Sequence, residues 1–338
     1  MRVIILEPTN RCNRACLHCL RNREDPRHDL PLEIAGHILE QARELEIRLV
    51  CLTGGEVSLY PYLEDLIAKV VSLGFDFSLV TNGFRFREYV LPLLLEAKVK
   101  PCIHSVCFSL DGNTHSAHDA LRGQGSYAEV REAIHFCRKN HLPLALKSAI
   151  TILNQTELAQ LALLGARLGA REHEFLFLDP TPTLIEKGLL PSPEELKGIA
   201  HWIRSDLAGA VTTKITVEGY VQEGPILHCG TIMNSLNVDY LGNLILCCQL
   251  SHVTMGDRVP TRFNGELVAD LKEVSLKEGI IRQYRLAAKL MEHKLESTGK
   301  PAGISQTPCH WCLYHFGKLE WLKKFPASPW AQELLPNS

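Results

Sequence analysis

The sequence predicts an α/β fold in which helices connect the strands of a parallel sheet. Over the first half of the chain, short apolar segments bounded by Gly, Pro, Asn or Asp alternate with longer amphipathic ones. Strands that are joined through helices run parallel to one another. Such a sheet is either doubly wound or part of a β/α barrel, and both architectures place ligands beyond the carboxyl ends of the strands.

The elements follow in regular order. Six strands are predicted, at Val3–Leu6, Arg48–Leu52, Phe75–Val80, Ser105–Leu110, Leu144–Ile150 and Glu174–Leu178. The helices between them are predicted at Leu32–Leu45, Tyr62–Leu73, Tyr89–Ala97, Tyr127–Asn140 and Glu157–Leu168. Ser126 and Glu129 form a capping-box pattern before the fourth helix, and Asn154 suits the N-cap of the fifth.

From about Asp179 the alternation stops, and several prolines mark a connection. We predict one more helix there at Pro193–Ser205. A hairpin of Leu236–Asp239 and Leu244–Cys247 is predicted next, followed by a helix at Leu276–Leu295.

Composition excludes several classes of protein. The 338 residues carry a net charge of -2, which does not suggest a nucleic-acid partner. No apolar run approaches the roughly 18–20 residues that span a bilayer, so no membrane partner is expected. The opening MRVIILEPTN indicates a buried strand rather than a secretory signal, and we expect a cytoplasmic protein.

The chain has 12 cysteines, and without a secretory signal the clustered ones indicate metal binding. Cys12, Cys16 and Cys19 follow the first strand directly. Three thiolates on one loop can hold three irons of a cubane cluster and leave the fourth iron open. Spacing alone also leaves room for a zinc site with His18 as the fourth ligand.

The stretch from Glu7 to Cys19 resembles the signature of the radical S-adenosylmethionine (SAM) superfamily, with His18 where that family usually keeps an aromatic side chain. Further motifs that resemble the family's stand at the next strand ends, over about residues 1–180; they are Thr53–Glu56, Thr81–Gly83, Ser109–Gly112 and His118–Gly123. The resemblance implies a partial (β/α)6 TIM-type barrel. It also implies a 4Fe–4S cluster on the three cysteines, which cleaves SAM to a 5′-deoxyadenosyl radical that abstracts a substrate hydrogen.

The family's contacts to SAM map onto seven positions. Glycines allow close approach to the SAM amino group, and an arginine offers planar donors to its carboxylate. The expected cofactor-binding residues are Gly54, Gly55, Glu56, Asn82, Ser109, Asp111 and Arg122.

A second set of cysteines resembles the auxiliary-cluster extension called a twitch domain, a shorter relative of the SPASM domain. The resemblance implies a second 4Fe–4S cluster with four protein ligands, at Cys229, Cys247, Cys309 and Cys312. Cys248 is the alternative ligand if Cys247 does not bind the cluster. A structural zinc site is the alternative to an iron–sulfur cluster for these four cysteines. Four ligands leave no open iron, so this cluster would carry electrons.

The expected domains are a radical SAM core at 1–180, a helical linker at 181–224, a twitch/SPASM-like domain at 225–325 and a tail at 326–338. The expected activity is a two-electron oxidation or crosslink of a small molecule or ribosomally made peptide, with an electron donor such as flavodoxin or ferredoxin. Candidate catalytic acids and bases are Lys147, Glu174 and Asp179. Glu218 and Tyr220 are candidates to cover the substrate.

Two other classes stay open. The chain could be a non-catalytic iron–sulfur or zinc scaffold or electron carrier, although such a scaffold should have lost Gly54, Gly55 or Arg122. It could also be a molybdopterin-type nucleotide cyclase, although it lacks the paired-glycine tail of that family.

Overall fold

The computed structural model describes residues 3–20, 26–218, 229–252, 265–296 and 308–335. Tyr220, a candidate cover of the substrate, lies outside these residues. The strands are β1 (Val3–Thr9), β2 (Leu49–Gly54), β3 (Asp76–Thr81), β4 (Ile103–Ser109), β5 (Leu144–Ile150), β6 (Glu172–Phe177), β7 (Lys214–Glu218), β8 (Ser235–Val238), β9 (Asn243–Ile245) and β10 (Leu267–Asp270).

Within the described ranges, all ten strands form one sheet in the order β10-β9-β8-β1-β2-β3-β4-β5-β6-β7. From β1 to β7 each strand pairs in parallel with the next strand along the chain. A doubly wound sheet reverses its strand order at a switch point, whereas a β/α barrel keeps consecutive order. The order has two ends, β10 and β7, so the barrel is partial and the predicted fold class is confirmed.

The helices follow the predicted order, and the third core helix begins with a π-helical turn at Phe86–Val90. They are α1 (Leu32–Glu44), α2 (Leu63–Ser72), α3 (Leu91–Leu95), α4 (His115–Arg122), α5 (Ser126–Lys139), α6 (Leu158–Arg167), α7 (Pro182–Glu186), α8 (Pro193–Trp202), α9 (Ala208–Ala210), α10 (Gly230–Asn234), α11 (Cys248–His252), α12 (Leu276–Glu296), α13 (Pro308–His315) and α14 (Pro329–Leu334).

The parallel strands have an apolar outer face and a more polar inner face, because successive side chains point to opposite sides. On β4, Val106 and Phe108 are fully buried, and Phe108 meets the ring of Phe86 edge-on at 5.0 Å. On the other face Ser105 donates a hydrogen bond of 2.9 Å to Ser78 of β3. The outer face therefore forms the core with the helices, and the inner face lines a polar lumen.

A seventh parallel strand, β7, lies in the stretch that the sequence analysis treats as a helical linker. β7 pairs with β6, and Ile215 and Val217 pack against the core. Its other face carries Thr216 and Glu218, so β7 adds a carboxylate to the lumen. Two apolar residues at alternate positions are too short a pattern to predict a strand from sequence.

The predicted capping box of the fourth core helix does not form. α5 begins at Ser126 itself, with Gly125 as its N-cap. Asp119 of α4 accepts hydrogen bonds from the backbone N–H groups of Gly125 (2.7 Å) and Tyr127 (2.8 Å) at this end. Glu129 is instead paired with Arg14 of the cysteine loop. An acidic residue from the preceding helix thus caps α5, which no local spacing could indicate.

The hairpin predicted in the carboxyl-terminal region forms from β8 and β9, which pair antiparallel. β8 also pairs in parallel with β1 from Val3 to Leu6. The region that carries the later cysteines therefore extends the same sheet as the first half of the chain.

Tyr60 fastens the end of β2 to the segment before α1. Its ring is buried, and its hydroxyl donates a hydrogen bond of 2.6 Å to the carbonyl of Leu30. We expect Tyr60→Phe to lower the free energy of unfolding by about 1–3 kcal/mol, because the Leu30 carbonyl loses its buried partner. Tyr62→Phe is the control, because Tyr62 is 47% exposed. Equal urea midpoints for the two variants would contradict the assignment.

Candidate active site

The loop that holds Cys12, Cys16 and Cys19 follows β1 and rests on α4. The backbone N–H of Leu17 donates to the carbonyl of Leu121 at 2.9 Å. Cys16 is buried, whereas Cys12 and Cys19 are exposed. Burial raises the pKa of Cys16 to about 11, against the opposing effect of Arg122, and the nearby Cys19 and Cys12 add to the rise. The three thiols therefore share one site at the carboxyl end of the sheet.

Gly54 and Gly55 bring the end of β2 against this loop. The N–H of Gly55 donates to the carbonyl of Thr9 at 2.8 Å, and the N–H of Glu56 donates to that of Arg11 at 2.7 Å. Gly54 has a φ of 116°, and a Cβ on Gly55 would lie 1.9 Å from the Arg11 carbonyl oxygen. Only glycine allows the two backbones to approach this closely.

Glu56 ties the ends of β2 and β3 together from a fully buried position. Its carboxylate accepts hydrogen bonds from Thr81 Oγ1 (2.8 Å) and from the backbone N–H groups of Asn82 (2.8 Å) and Ser58 (3.2 Å). Burial raises the pKa of Glu56, and these hydrogen bonds oppose the rise. Both carboxylate oxygens thus have partners within the protein.

Asn82 reaches the cysteine loop from the end of β3. Its Nδ2 donates to Oδ1 of Asn13 at 2.9 Å and lies 3.8 Å from the sulfur of Cys12. Its Oδ1 accepts a hydrogen bond of 3.0 Å from the backbone of Phe84. Asn82 therefore holds the first cysteine of the loop in place.

Asp111, just beyond β4, is fully buried and paired with Arg122 of α4. Its Oδ2 accepts from Arg122 Nε, and its Oδ1 accepts from the backbone N–H of Ala149 at 2.8 Å. Burial alone would raise the pKa of Asp111, but Arg122 and His18 lower it to about 2. Arg122 in turn has Nη1 4.0 Å from the sulfur of Cys16. The ion pair therefore holds the arginine beside the cysteine loop.

Two histidines and an amide surround Asp111. His18 Nε2 lies 3.6 Å from the Asp111 carboxylate, and its Nδ1 is buried without a hydrogen-bond partner among the described residues. His118 Nδ1 accepts from the Asp111 backbone N–H at 3.1 Å. Asn154, predicted as a helix cap, instead donates to the carbonyls of Asp111 (2.6 Å) and Ala149 (2.7 Å). Sequence spacing could not place these contacts between distant segments.

The lumen beyond this site contains Lys147 of β5, Glu174 of β6 and Glu218 of β7. Lys147 Nζ lies 2.6 Å from Glu174 and 3.7 Å from Glu218. Burial alone would lower the pKa of Lys147, but the two glutamates raise it above its ordinary value. Ser109 ends β4 opposite Lys147 in the strand register. Lys147 and Glu174, two of the three predicted acid–base residues, are thus in contact. Glu218, which the sequence suggests only as a residue that covers the substrate, lies beside them.

Asp179 lies apart from this pair, in the wall of a second cavity. It is 6% exposed, and burial raises its pKa to about 7, with Glu218 adding to the rise. His310 Nε2 lies 3.9 Å from its Oδ1. Asp179 therefore borders the later cysteines and faces Glu218 of the lumen.

The second cavity is partly open to solvent, and its lining includes Cys229, Cys247, Cys309 and Cys312. We call these four residues the second cysteine set. Cys309 is 3.4 Å from Gln249 Oε1. Cys248 is not in the lining; its pKa is raised by a hydrogen bond with Cys247 and by burial, with Glu7 and Glu218 nearby. Cys229 and Cys312 are 83 residues apart in the sequence. The fold brings all four cysteines of the set to one cavity.

Two features are absent from the described ranges. In that part of the chain, no three side chains of His, Cys, Asp or Glu converge closely enough to hold a single metal ion. None of the helices there is both long and apolar enough to cross a membrane.

Of the isolated cysteines, Cys51 and Cys107 lie near the lumen cluster. Burial raises the pKa of both thiols, to about 11 and about 12, and Lys147 opposes each rise. Their position near Lys147 could not be predicted from sequence, because nothing in a single strand indicates which face meets a distant lysine. Cys137 does pack in the core, between α5 and the sheet.

Comparison with known proteins finds a family match in the first half of the chain. Residues 6–162 match the family model described as the radical SAM superfamily. The chain is 26% identical over 204 residues to the AdoMet-dependent heme synthase of Methanosarcina barkeri, covering 60% of this chain and 57% of that protein. It is 31% identical over 169 residues to the mycofactocin maturase MftC of Mycobacterium ulcerans, covering 48% and 44%. The chain thus spans about half the length of these relatives.

Among solved structures, the fold is similar to that of SuiB from Streptococcus suis bound to S-adenosylmethionine. The TM-score is 0.64 at 14% identity, covering 83% of this chain and 67% of that one. SuiB has also been solved with the precursor peptide SuiA, and this structure matches with a TM-score of 0.60. At this identity the likeness concerns the fold alone.

We expect Gly55→Ala to disrupt the cysteine loop, because the new Cβ would overlap the Arg11 carbonyl one residue before Cys12. Iron bound after anaerobic reconstitution should fall well below the wild-type amount. Gly198→Ala in α8 is the control, because nothing lies within 4 Å of its added Cβ. Wild-type iron content in Gly55→Ala would show that the close approach is not needed.

We expect Asp111→Asn to weaken SAM binding at least about tenfold, because a charge-assisted bond that orients Arg122 is lost while the side-chain shape is kept. Equilibrium binding of SAM to the reconstituted protein measures this, with iron content determined on the same sample. Asp76→Asn, at an exposed position at the start of β3, is the matched control. Unchanged SAM affinity in Asp111→Asn would refute the role.

Proposed function

We propose that this chain, whose residues 6–162 form a radical SAM domain, is an oxidoreductase that uses two iron–sulfur clusters to oxidise or crosslink a small molecule or ribosomally made peptide. The superfamily implies SAM and one 4Fe–4S cluster. The observation that supports the fuller proposal is the polar lumen flanked by two sets of cysteines on one sheet.

The first three cysteines suit a cluster with one open iron, since three thiolates are offered at one loop. One feature fits a bound group here: the buried Nδ1 of His18, which has no partner among the described residues. Gly54 and Gly55 would hold the end of β2 against the cysteine loop beside the SAM amino group, and Arg122 would bind the SAM carboxylate. When bound, the cluster and SAM supply a carbon radical that takes a hydrogen atom from substrate.

Asp111 and Glu56 would act through other groups. Each is fully buried with both carboxylate oxygens engaged by the protein. Asp111 fixes the direction of Arg122, and Glu56 fixes the turn that carries the glycines. We therefore propose them as positioning residues for SAM.

The lumen residues divide the acid–base work. Lys147 is held as an ammonium between two glutamates, so it would orient polar groups of the substrate. Glu174 and Glu218 can accept the proton that leaves with an oxidation. Asp179 stands between the lumen and the second cavity and is the remaining acceptor.

The second cysteine set offers four thiols to one cavity, which suits a closed 4Fe–4S cluster that would accept an electron. We also propose domain boundaries at 180, 224 and 325 and a cytoplasmic location. The proposed electron donor is a protein such as flavodoxin or ferredoxin. One of the relatives is named a heme synthase and another a maturase. Small molecules and peptides are therefore the two substrate classes to compare.

The test is anaerobic reconstitution with SAM and dithionite, with 5′-deoxyadenosine measured in the presence of a peptide or small-molecule library. We expect wild type to form 5′-deoxyadenosine and product in equal amounts. Cys309→Ala should keep SAM cleavage and lose product, whereas Cys16→Ala should lose both. Cys102→Ala is the control, because Cys102 lies at the start of β4, at the opposite end of the sheet.

Absence of 5′-deoxyadenosine from the wild-type chain would contradict an enzymatic role and favour a scaffold. Product formation by Cys309→Ala at the wild-type rate would instead remove the second cluster from the mechanism.

A further inference from the structure

Lys294 of α12 is a buried lysine beside the second cavity. It is 7% exposed, and its Nζ lies 4.9 Å from the centre of the Trp311 ring. In the portion of the chain that the structure describes, no carboxylate lies within ion-pair distance of Lys294. Burying a charge without a counter-charge is costly, so this position calls for a negative group nearby.

The groups around Lys294 show where that negative charge can be. Trp311 lies on α13 next to Cys312, and the Lys294 ammonium opposes the rise that burial gives the pKa of Cys312, which is about 11. The other titratable neighbours are His293 and His315, and burial, His293 and Lys294 together lower the pKa of His315. Neither histidine can supply negative charge. Among the described residues, the neighbours of Lys294 that can carry negative charge are therefore on the cysteine side.

We propose that Lys294 is the counter-charge of an anionic iron–sulfur cluster in the second cysteine set, and that it raises the reduction potential of that cluster. The inference rests on the proposed second cluster. A 4Fe–4S core with four thiolates carries net negative charge, and one-electron reduction adds another. A fixed cation in a buried site stabilises the more negative state more strongly, because the Coulomb energy scales with the charge.

The consequence for function is a direction of electron flow. A higher reduction potential makes the second cluster a better acceptor for an electron from an oxidised substrate. Lys294 is not among the residues that line the second cavity, so its proposed effect is on the energy of this transfer.

The experiment isolates the second cluster in the full-length chain. Cys12, Cys16 and Cys19 are replaced by Ala, and the protein is reconstituted anaerobically with iron and sulfide. The midpoint potential is then measured by spectroelectrochemical titration. We compare Lys294→Met with Lys294→Arg, which keeps the charge, and with Lys289→Met, an exposed lysine on the same helix.

We expect about four irons per chain in each protein. Lys294→Met should make one-electron reduction about tenfold less favourable, a fall of about 59 mV in midpoint potential. Lys294→Arg and Lys289→Met should stay close to the parent. If Lys294→Met takes up less iron, Lys294→Gln provides a second neutral variant; loss of the cluster in both, but not in Lys294→Arg, would also support the counter-charge.

Two results would overturn the inference in different ways. A full iron complement in Lys294→Met with the potential of Lys289→Met would show that Lys294 does not act on the cluster. No iron and sulfide in the parent protein, or zinc in their place, would remove the second cluster and with it this part of the proposed function, while SAM cleavage by the wild-type chain would be unaffected.

Discussion

The Asp111 carboxylate is the interaction on which the geometry around the cysteine loop depends. One fully buried side chain meets Arg122 of α4, the backbone at the end of β5 and, at 3.6 Å, His18 of the cysteine loop. A buried carboxylate without these partners would be neutral, because desolvation penalises its charge. In its buried position the charge of Asp111 thus depends on these partners, and in turn it holds the arginine and the loop together.

The same balance of burial and pairing organises the lumen. Burial alone would lower the pKa of Lys147, yet Glu218 and Glu174 raise it above its ordinary value. Three strands contribute one charge each, so the charge pattern exists only when β5, β6 and β7 are in register. Polar chemistry in the interior therefore depends on sheet pairing as strictly as the apolar core does.

Much of this could be predicted from sequence, because the relevant signals are local. Strand and helix positions follow from periodicity. Gly55 belongs to a motif of adjacent residues, Thr53–Glu56, which the sequence alone reveals. What escaped prediction depends on contacts between distant segments. Asn154 suits a helix cap locally, but its amide bonds to the backbone of Asp111. Glu129 completes a capping-box pattern in the sequence, but in the structure its carboxylate pairs with Arg14. In both cases a tertiary partner outcompetes a local one, and no spacing rule contains the tertiary partner.

The pairing of β8 with β1 has a consequence for how such a protein can change over evolutionary time. Apart from that pairing, β1 would be an edge strand with apolar side chains and unpaired backbone groups, an arrangement prone to intermolecular association. The segment with the later cysteines therefore shields the first half of the chain as well as contributing thiols. A lineage that lost those cysteines would still be under selection to keep the strand, so the shield can outlast the thiols it accompanies.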